Sequence, residues 1–271
     1  MTRPATPPPA PSTGAGAATY QATRAHLAYL RLTAAAEALP GLLDDARTKK
    51  RSHTEFLHDL LAVEAQAVAA RRHDSLQRFA RLPAPWTLDD FDFAAQPTVD
   101  RELLRDLCTC RFLDDATNVL LIGPPGVGKT MIATILGRAA VDAGRRTYYT
   151  TAVDLAARCH RAALEGRWAT TMRFFNGPDL LIIDEVGYLP LAAEAAAALF
   201  QVISHRYQRG SIVLTTNLAV GTWGQIFDDA MVAAAMLDRL LHRSIVFNIT
   251  GDSYRLREHQ ARTNQLARRT R

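Results

Sequence analysis

Residues 118–130 read "NVLLIGPPGVGKT", and the fold follows from how this stretch is read. A short apolar run meets a glycine-rich turn that fits G-x-x-x-x-G-K-[ST]. The next residues, "TMIATILGRAAVDAG", have the pattern of a helix. Strand, glycine loop and helix in that order make a phosphate cradle. Gly123, Gly126 and Gly128 let the backbone turn tightly and bring N–H groups close to phosphate oxygens, and the helix adds its positive N-terminal end. Lys129 is expected to reach the β- and γ-phosphates, and Thr130 to ligate Mg²⁺. The nucleotide-binding set is therefore Gly123, Pro124, Pro125, Gly126, Val127, Gly128, Lys129, Thr130 and Met131.

Working outward, "RRTYYTTA", "DLLIIDE", "SIVLTTN" and "SIVFNIT" read as four more strands. "DLAARCHRAALEG" and "AEAAAALFQVISHRYQRG" read as helices between them. Fully apolar runs separated by helices predict an α/β fold with a five-stranded parallel sheet covered on both faces. Such a sheet delivers the C-terminal end of every strand to one edge, where ligands bind. Asp184 and Glu185 end the third strand at that edge. Asp184 suits a Mg²⁺ shell, and Glu185 suits a general base that polarises water against the γ-phosphate; a helix cap after a core strand is the competing structural reading. Asn217 follows the fourth strand. Its amide can orient the attacking water or contact the γ-phosphate, a task Thr215 or Thr216 could share, and a strand-ending turn is the alternative. Arg239 and Arg243 share one helical face before the last strand, and Arg255 follows it. A guanidinium is permanently cationic and bidentate, which fits γ-phosphate charge, and an arginine supplied by a neighbouring subunit is worth ~10³–10⁵ in rate. Asp238 could instead pair with one of them. The lysines Lys49, Lys50 and Lys129 lie in no guanine-binding N-K-x-D motif, so ATP hydrolysis is favoured over a GTP switch.

The 271 residues allow one large domain or two small ones at roughly 100–200 residues each. Residues 1–19, rich in Pro, Ala, Thr and Gly, are expected to be a disordered tail and have no apolar run for a signal peptide or membrane span. Residues 20–82 are expected to form a small helical domain, with a helix ending at Pro40-Gly41 and a capping box at Ser52-x-x-Glu55. Phe56, Leu57, Leu60, Leu61 and Val68 then give an apolar stripe. Three prolines in 83–97 read as a linker, followed by the ATPase domain over 98–258 and a basic tail over 259–271. Three cysteines are too few for a disulfide framework, which makes a reducing, cytoplasmic setting the default. Cys108-x-Cys110 has no second pair at zinc-like spacing.

The net charge of +5 equals the excess carried by residues 254–271, which hold six Arg and one Glu. Phosphate-backbone contact and a solvated terminus are both open readings of this tail. Arg158, Arg161, Arg167 and Arg173 in 153–175, with Arg158 and Arg161 on one helical face, read either as a solvated face or, as the resemblance to loader-clade ATPases given below implies, as DNA-contact candidates. Arg71, Arg72, Arg78 and Arg81 compete for that role or for a protein partner. No zinc-finger or RNA-recognition pattern is present, so little direct base readout is expected.

The stretches "LPAPWTLDDFDFAAQPTVDR", "NVLLIGPPGVGKT", "DLLIIDEVGYLP", "LFQVISHRYQRGSIVLTTNL", "WGQIFDDAMVAAAMLDRLLHRS" and "GDSYRLRE" carry a resemblance over about residues 20–258. The chain resembles AAA+ P-loop ATPases of the initiator and helicase-loader clade, and within it the IstB-like transposition helper ATPases of insertion sequences. The helicase loader DnaC is a more distant likeness, and a DnaC-like loader is the alternative function. The resemblance implies Walker A roles for Lys129 and Thr130, and Walker B roles for Asp184 and Glu185. It implies sensor 1 at Asn217, an arginine finger at Arg239 with Arg243 as second choice, and sensor 2 at Arg255. It further implies ATP and Mg²⁺ as cofactors, and homo-oligomers on double-stranded DNA that hand a target site to a cognate transposase. The short stretch after Arg255 leaves little room for the helical lid common in AAA+ proteins.

Overall fold

All five positions of β1 (Asn118–Ile122) are buried, as a strand covered by helices on both faces requires. In the computed structural model, which describes residues 16–187, 193–225 and 230–254, β1 lies inside a sheet with β2 (Thr147–Thr151), β3 (Leu180–Val186), β4 (Ser211–Thr216) and β5 (Ser244–Asn248). The order is β2-β3-β4-β1-β5, and every pair is parallel. The α/β expectation with five parallel strands holds.

Alternate residues of the strands feed two apolar layers, the period-two consequence of the pleat. Leu180 and Ile182 face one layer with Val119, Leu121 and Val213, packed on Ile132, Ile135 and Leu136 of α5 (Lys129–Asp142). Leu181 and Ile183 face the other, with Leu155 and Cys159 of α6 (Ala152–Leu164), Phe175 of α7 (Trp168–Asn176), Leu199 and Val202 of α8 (Ala193–Arg206), and Met236 and Leu240 of α9 (Ala230–Leu241). Burying each such side chain contributes roughly 1.5–3 kcal/mol. The helix read from "DLAARCHRAALEG" is α6, and Gly166 at φ +66 separates it from α7.

The chain divides into two compact units, Met1–Asp74 and Ser75–Arg271. The division falls inside α3 (His53–Ala80) rather than at residue 83. In the first unit, α1 (Gly16–Tyr29) starts four residues earlier than expected, and residues 1–15 of the predicted tail lie outside the described ones. The predicted break at Pro40-Gly41 is not there: Pro40 lies within α2 (Thr33–Thr48), and the chain breaks at Arg31, which takes φ +60. Pro40 is exposed, so water can serve the carbonyl its missing N–H leaves. Packing holds the helix on its other face, where Ala35, Leu39 and Leu60 form the core. Buried Glu64 accepts the Ala35 N–H at 3.0 Å and an Arg71 N–H at 2.7 Å. The Ser52–Glu55 capping box forms: the Ser52 N–H donates to Glu55 Oε2 at 2.7 Å and the Glu55 N–H to Ser52 Oγ at 3.3 Å. Only part of the predicted stripe is buried, for Leu57, Leu61 and Val68 remain about half exposed.

In the second unit, the segment expected as a linker packs on the core of the parallel sheet. Trp86, Leu88, Phe91 and Phe93 join the apolar layer of α5. Asp100 caps α4 (Arg101–Leu107) by accepting the N–H groups of Glu102 and Leu103. Burial pushes the Cys108 thiol up to about 11 and raises that of Cys110. No helix among the described residues is long and apolar enough to cross a membrane. Residues 255–271, which include the whole predicted basic tail over 259–271, lie outside the described ones.

Candidate active site

The site grows from the C-terminal ends of β1, β3 and β4, which register puts at one edge. Ile122 lies beside Thr216 on one side and Asn248 on the other. The glycine loop begins at the next residue, where the Gly123 N–H donates to Thr216 O at 3.2 Å. Gly126 takes φ +82 and Gly128 φ +96, backbone that side chains rarely adopt. Both are also closely approached: a Cβ on Gly126 would collide with Ser253, and one on Gly128 would meet the Phe91 ring at 3.0 Å. Tyr254 donates its N–H to Gly126 O at 2.9 Å. The loop is thus lined by the 83–97 segment and by the chain leaving β5. Pro124 and Pro125 are exposed, Val127 is buried in the core, and Met131 packs partly against it. Lys129 opens α5, and its Nζ donates to Gly123 O and Pro124 O at 2.7 Å each.

Asp184 is 2% exposed and collects three hydroxyl groups. Thr130 Oγ1 donates to Oδ1 at 3.2 Å, Thr215 Oγ1 donates to the same oxygen, and Tyr149 OH donates to Oδ2 at 2.5 Å. Three hydroxyl donors hold the carboxylate in one rotamer. Burial, then the bond to Asp184, raises the Tyr149 hydroxyl far above its ordinary value, so it stays a donor. The Thr130 and Asp184 oxygens are hard donors side by side, and they fit Mg²⁺, which takes one or two protein oxygens together with substrate phosphates. Among the described residues no group of three or more His, Cys, Asp and Glu could hold a metal by itself.

Glu185, next in sequence, is exposed at φ +61. Its position follows from a β-bulge: Ile183 pairs with Leu214 and Val186 with Thr216, so β3 spends one residue more than β4. The Glu185 N–H donates to Thr215 Oγ1 at 2.9 Å. Thr215 is therefore a buttress of the acid pair, while Thr216 Oγ1 accepts the Leu218 N–H at 3.1 Å. Asn217 follows β4 at the same edge, half-buried.

Other predicted residues stand apart. Arg243 precedes Ser244, which pairs with Asn118 at the start of β1; Arg243 is thus at the opposite end of the strands, about 13 Å or more from the loop at ~3.3 Å per residue. Its guanidinium donates to Asp115 O at 3.4 Å. Arg239 donates to Ala235 O at 2.7 Å and lies 5.1 Å from the Phe200 ring centroid. Neither is brought to the glycine loop of its own chain by these contacts. Arg255 lies outside the described residues. Arg158 stacks 3.6 Å over Phe174 and donates to Tyr148 OH at 3.5 Å. Arg161 is exposed, Arg167 pairs with Glu165, and Arg173 reaches Thr170 Oγ1 at 3.4 Å. Sequence reasoning missed Tyr149 and the approach of Phe91. The available signal for Tyr149 was its place near the end of a strand beside the acid-bearing one.

Fold and site together define an AAA+ P-loop nucleotide-binding domain. Solved structures share it: AMPPCP-bound DnaA from Aquifex aeolicus has a TM-score of 0.54 at 20% identity over 68% of this chain and 56% of that one. The DnaC helicase loader has a TM-score of 0.50 at 20% identity over 60% of this chain and 96% of its own. The family model of the IstB-like ATP binding protein matches residues 25–262, and the chain belongs to that family. A Geobacillus stearothermophilus protein named as an ATP-binding protein of insertion sequence IS5376 is 46% identical over 84% of this chain and 91% of its own length. A Pseudomonas aeruginosa protein named likewise for IS21 is 42% identical over 80% and 82%.

Proposed function

We propose that this protein is an ATP-hydrolysing helper of insertion-sequence transposition, which assembles with copies of itself on double-stranded DNA and presents the target to the transposase. The observation that carries the reading is Asp184, braced beside Thr130, with Glu185 turned outward by the adjacent bulge. A bound Mg²⁺ would neutralise charge on the β- and γ-phosphates. Lys129 exchanges the Gly123 and Pro124 carbonyls for those phosphates. Glu185 takes a proton from the attacking water, and Asn217 orients that water. Arg239, or Arg243 in its place, reaches the γ-phosphate of a neighbouring subunit, and Arg255 that of its own. The contacts of Arg239 and Arg243 away from the loop of the same chain favour a role at a neighbour's site. Arg158, Arg161, Arg167 and Arg173 contact backbone phosphates without reading bases. The insertion-sequence names of the relatives support transposition over helicase loading.

Electron microscopy with a slowly hydrolysed ATP analogue and a DNA duplex tests the reading. Multi-subunit particles on DNA are expected from the wild type. Lys129→Ala, which removes the phosphate-binding ammonium, is expected to yield none. A strictly monomeric, DNA-free wild-type particle would sink the proposal.

A further inference from the structure

Beyond the phosphate loop, the second unit contains a cavity of about 730 Å³, within the range of small-ligand sites. Arg81, Arg158, Arg161 and Arg167 line it. So do Asp154 and Glu165, which leaves two positive charges in excess. Arg167 is paired with Glu165. Among the described residues, Arg81, Arg158 and Arg161 have no carboxylate partner. Like charges gathered around one cleft repel, and a bound anion removes that repulsion.

Arg158 and Arg161 belong to α6, whereas Arg81 follows α3, and packing explains how it arrives. The Phe79 ring, near the end of α3, lies 5.5 Å from that of Tyr148 and 5.8 Å from that of Phe174 between centroids. Ala80 is buried. Arg158 stacks 3.6 Å over the same Phe174 and donates to the same Tyr148 OH at 3.5 Å. Phe79 and Arg158 therefore sit on one pair of rings, and Arg81, two residues past Phe79, reaches the cavity that Arg158 lines. Arg81 takes φ +53, the left-handed backbone on which helices most often end with glycine. An arginine there keeps a strained backbone and adds a charge to the cleft. Of Arg71, Arg72, Arg78 and Arg81, only Arg81 lines this cavity; Arg71 is bonded to Glu64.

We propose that this cleft is a phosphate-oxyanion site and that Arg81 binds there together with Arg158, Arg161 and Arg167. The proposal deepens the helper reading above, and its DNA arm rests on that reading. A phosphate offers oxygens in several directions, so it can accept from guanidinium groups on three segments: the end of α3, α6, and the link between α6 and α7. Arg158 is already held by Phe174 and Tyr148, so little of its freedom is lost on binding. The oxyanion is a nucleic-acid backbone phosphate or phosphate free in solution.

The test has two arms. Fluorescence anisotropy reads binding of a labelled DNA duplex, with a slowly hydrolysed ATP analogue, over a series of salt concentrations. Phosphorus NMR reads binding of inorganic phosphate without DNA. For a backbone phosphate, Arg81→Gly and Arg161→Ala are each expected to lower the slope of log affinity against log salt by about one. Arg81→Gly also relieves the left-handed backbone, so its unfolding midpoint is expected at or above that of the wild type, and lost binding is not lost folding. Arg81→Lys keeps the charge and the wild-type slope, as does Arg78→Ala, whose side chain does not line the cavity. For free phosphate, the wild type broadens the phosphate signal and the Arg81→Gly and Arg161→Ala variants do not. Duplex slopes that are unchanged, or that fall equally in Arg78→Ala, together with no loss of phosphate binding in Arg81→Gly and Arg161→Ala, overturn the proposal and leave the helper reading standing. A wild type that binds no duplex overturns the helper reading, and the phosphate arm then decides the cleft by itself.

Discussion

Glu185 holds a backbone conformation that costs a non-glycine residue about 1–3 kcal/mol. The bulge in β3 keeps it there, because Thr215 bonds both the Glu185 N–H and Asp184. The same distortion separates two adjacent carboxylates, one buried beside Thr130 and one exposed to water. Glu185→Gln retains the shape and the strained backbone and removes only the basicity. It is expected to bind an ATP analogue as the wild type does and to lose turnover by about 10²–10⁴, the usual worth of a general base. Phosphate release and equilibrium nucleotide binding check this; wild-type turnover would remove Glu185 from the chemistry. At this scale the sequence was informative about identity and less so about role. Asp184 and Glu185 were legible because an apolar strand ended on them. Thr215 was grouped with residues that handle water, but cross-strand register makes it a brace.

At the scale of elements, Arg206 ties the ends of several together. It is 2% exposed, and burial brings its guanidinium down to about 10, so it stays charged near neutral pH. Its N–H groups donate to the carbonyls of Phe175, Pro178, Asp179 and Ser211, joining the exit of α7 to the starts of β3 and β4. Arg206→Ala strips the donor from buried carbonyls, each costing about 1–3 kcal/mol when left unpaired. A loss of about 3 kcal/mol or more is expected in denaturant unfolding, and a change within 0.5 kcal/mol would show that water replaces the side chain. In the first unit, Glu64 is held below its ordinary value of 4.5, chiefly by the Ala35 N–H and then by Arg71. A lowered carboxylate contributes stability above the unfolded value and loses it as pH falls through the folded one. Acid titration of helicity should therefore show a transition below pH 4.5 that Glu64→Gln removes; an unchanged acid limb in that variant would deny Glu64 the role. Neither residue was singled out from sequence. Glu64 reaches Ala35 across 29 residues and Arg206 reaches Phe175 across 31, whereas Ser52 and Glu55 are three apart, and that difference explains why the capping box was legible and these contacts were not.

For the whole molecule, the proposed function makes the arginines decide whether one chain holds a complete site. Arg239 and Arg243 are occupied by backbone carbonyls and an aromatic ring of their own chain. On the proposed assembly, Arg239→Ala lowers turnover by about 10³ or more without weakening ATP binding by the monomer. Mixing it with Glu185→Gln should restore turnover, because the Glu185→Gln subunit supplies Arg239 to a site whose Glu185 is intact. Unchanged turnover in Arg239→Ala alone transfers the role to Arg243. No recovery on mixing would place the arginine's action within its own subunit.

The glycine loop, the parallel sheet and the acid pair were determined by sequence, because each is written in consecutive residues whose period or spacing has one physical meaning. The tertiary structure decided what surrounds them. It moved the helix break from Pro40 to Arg31, turned a proline-rich stretch into a wall against Gly128, and gathered three hydroxyl groups from α5, β2 and β4 on Asp184. These contacts join residues far apart in the chain, and only strand order and register bring them within bonding distance.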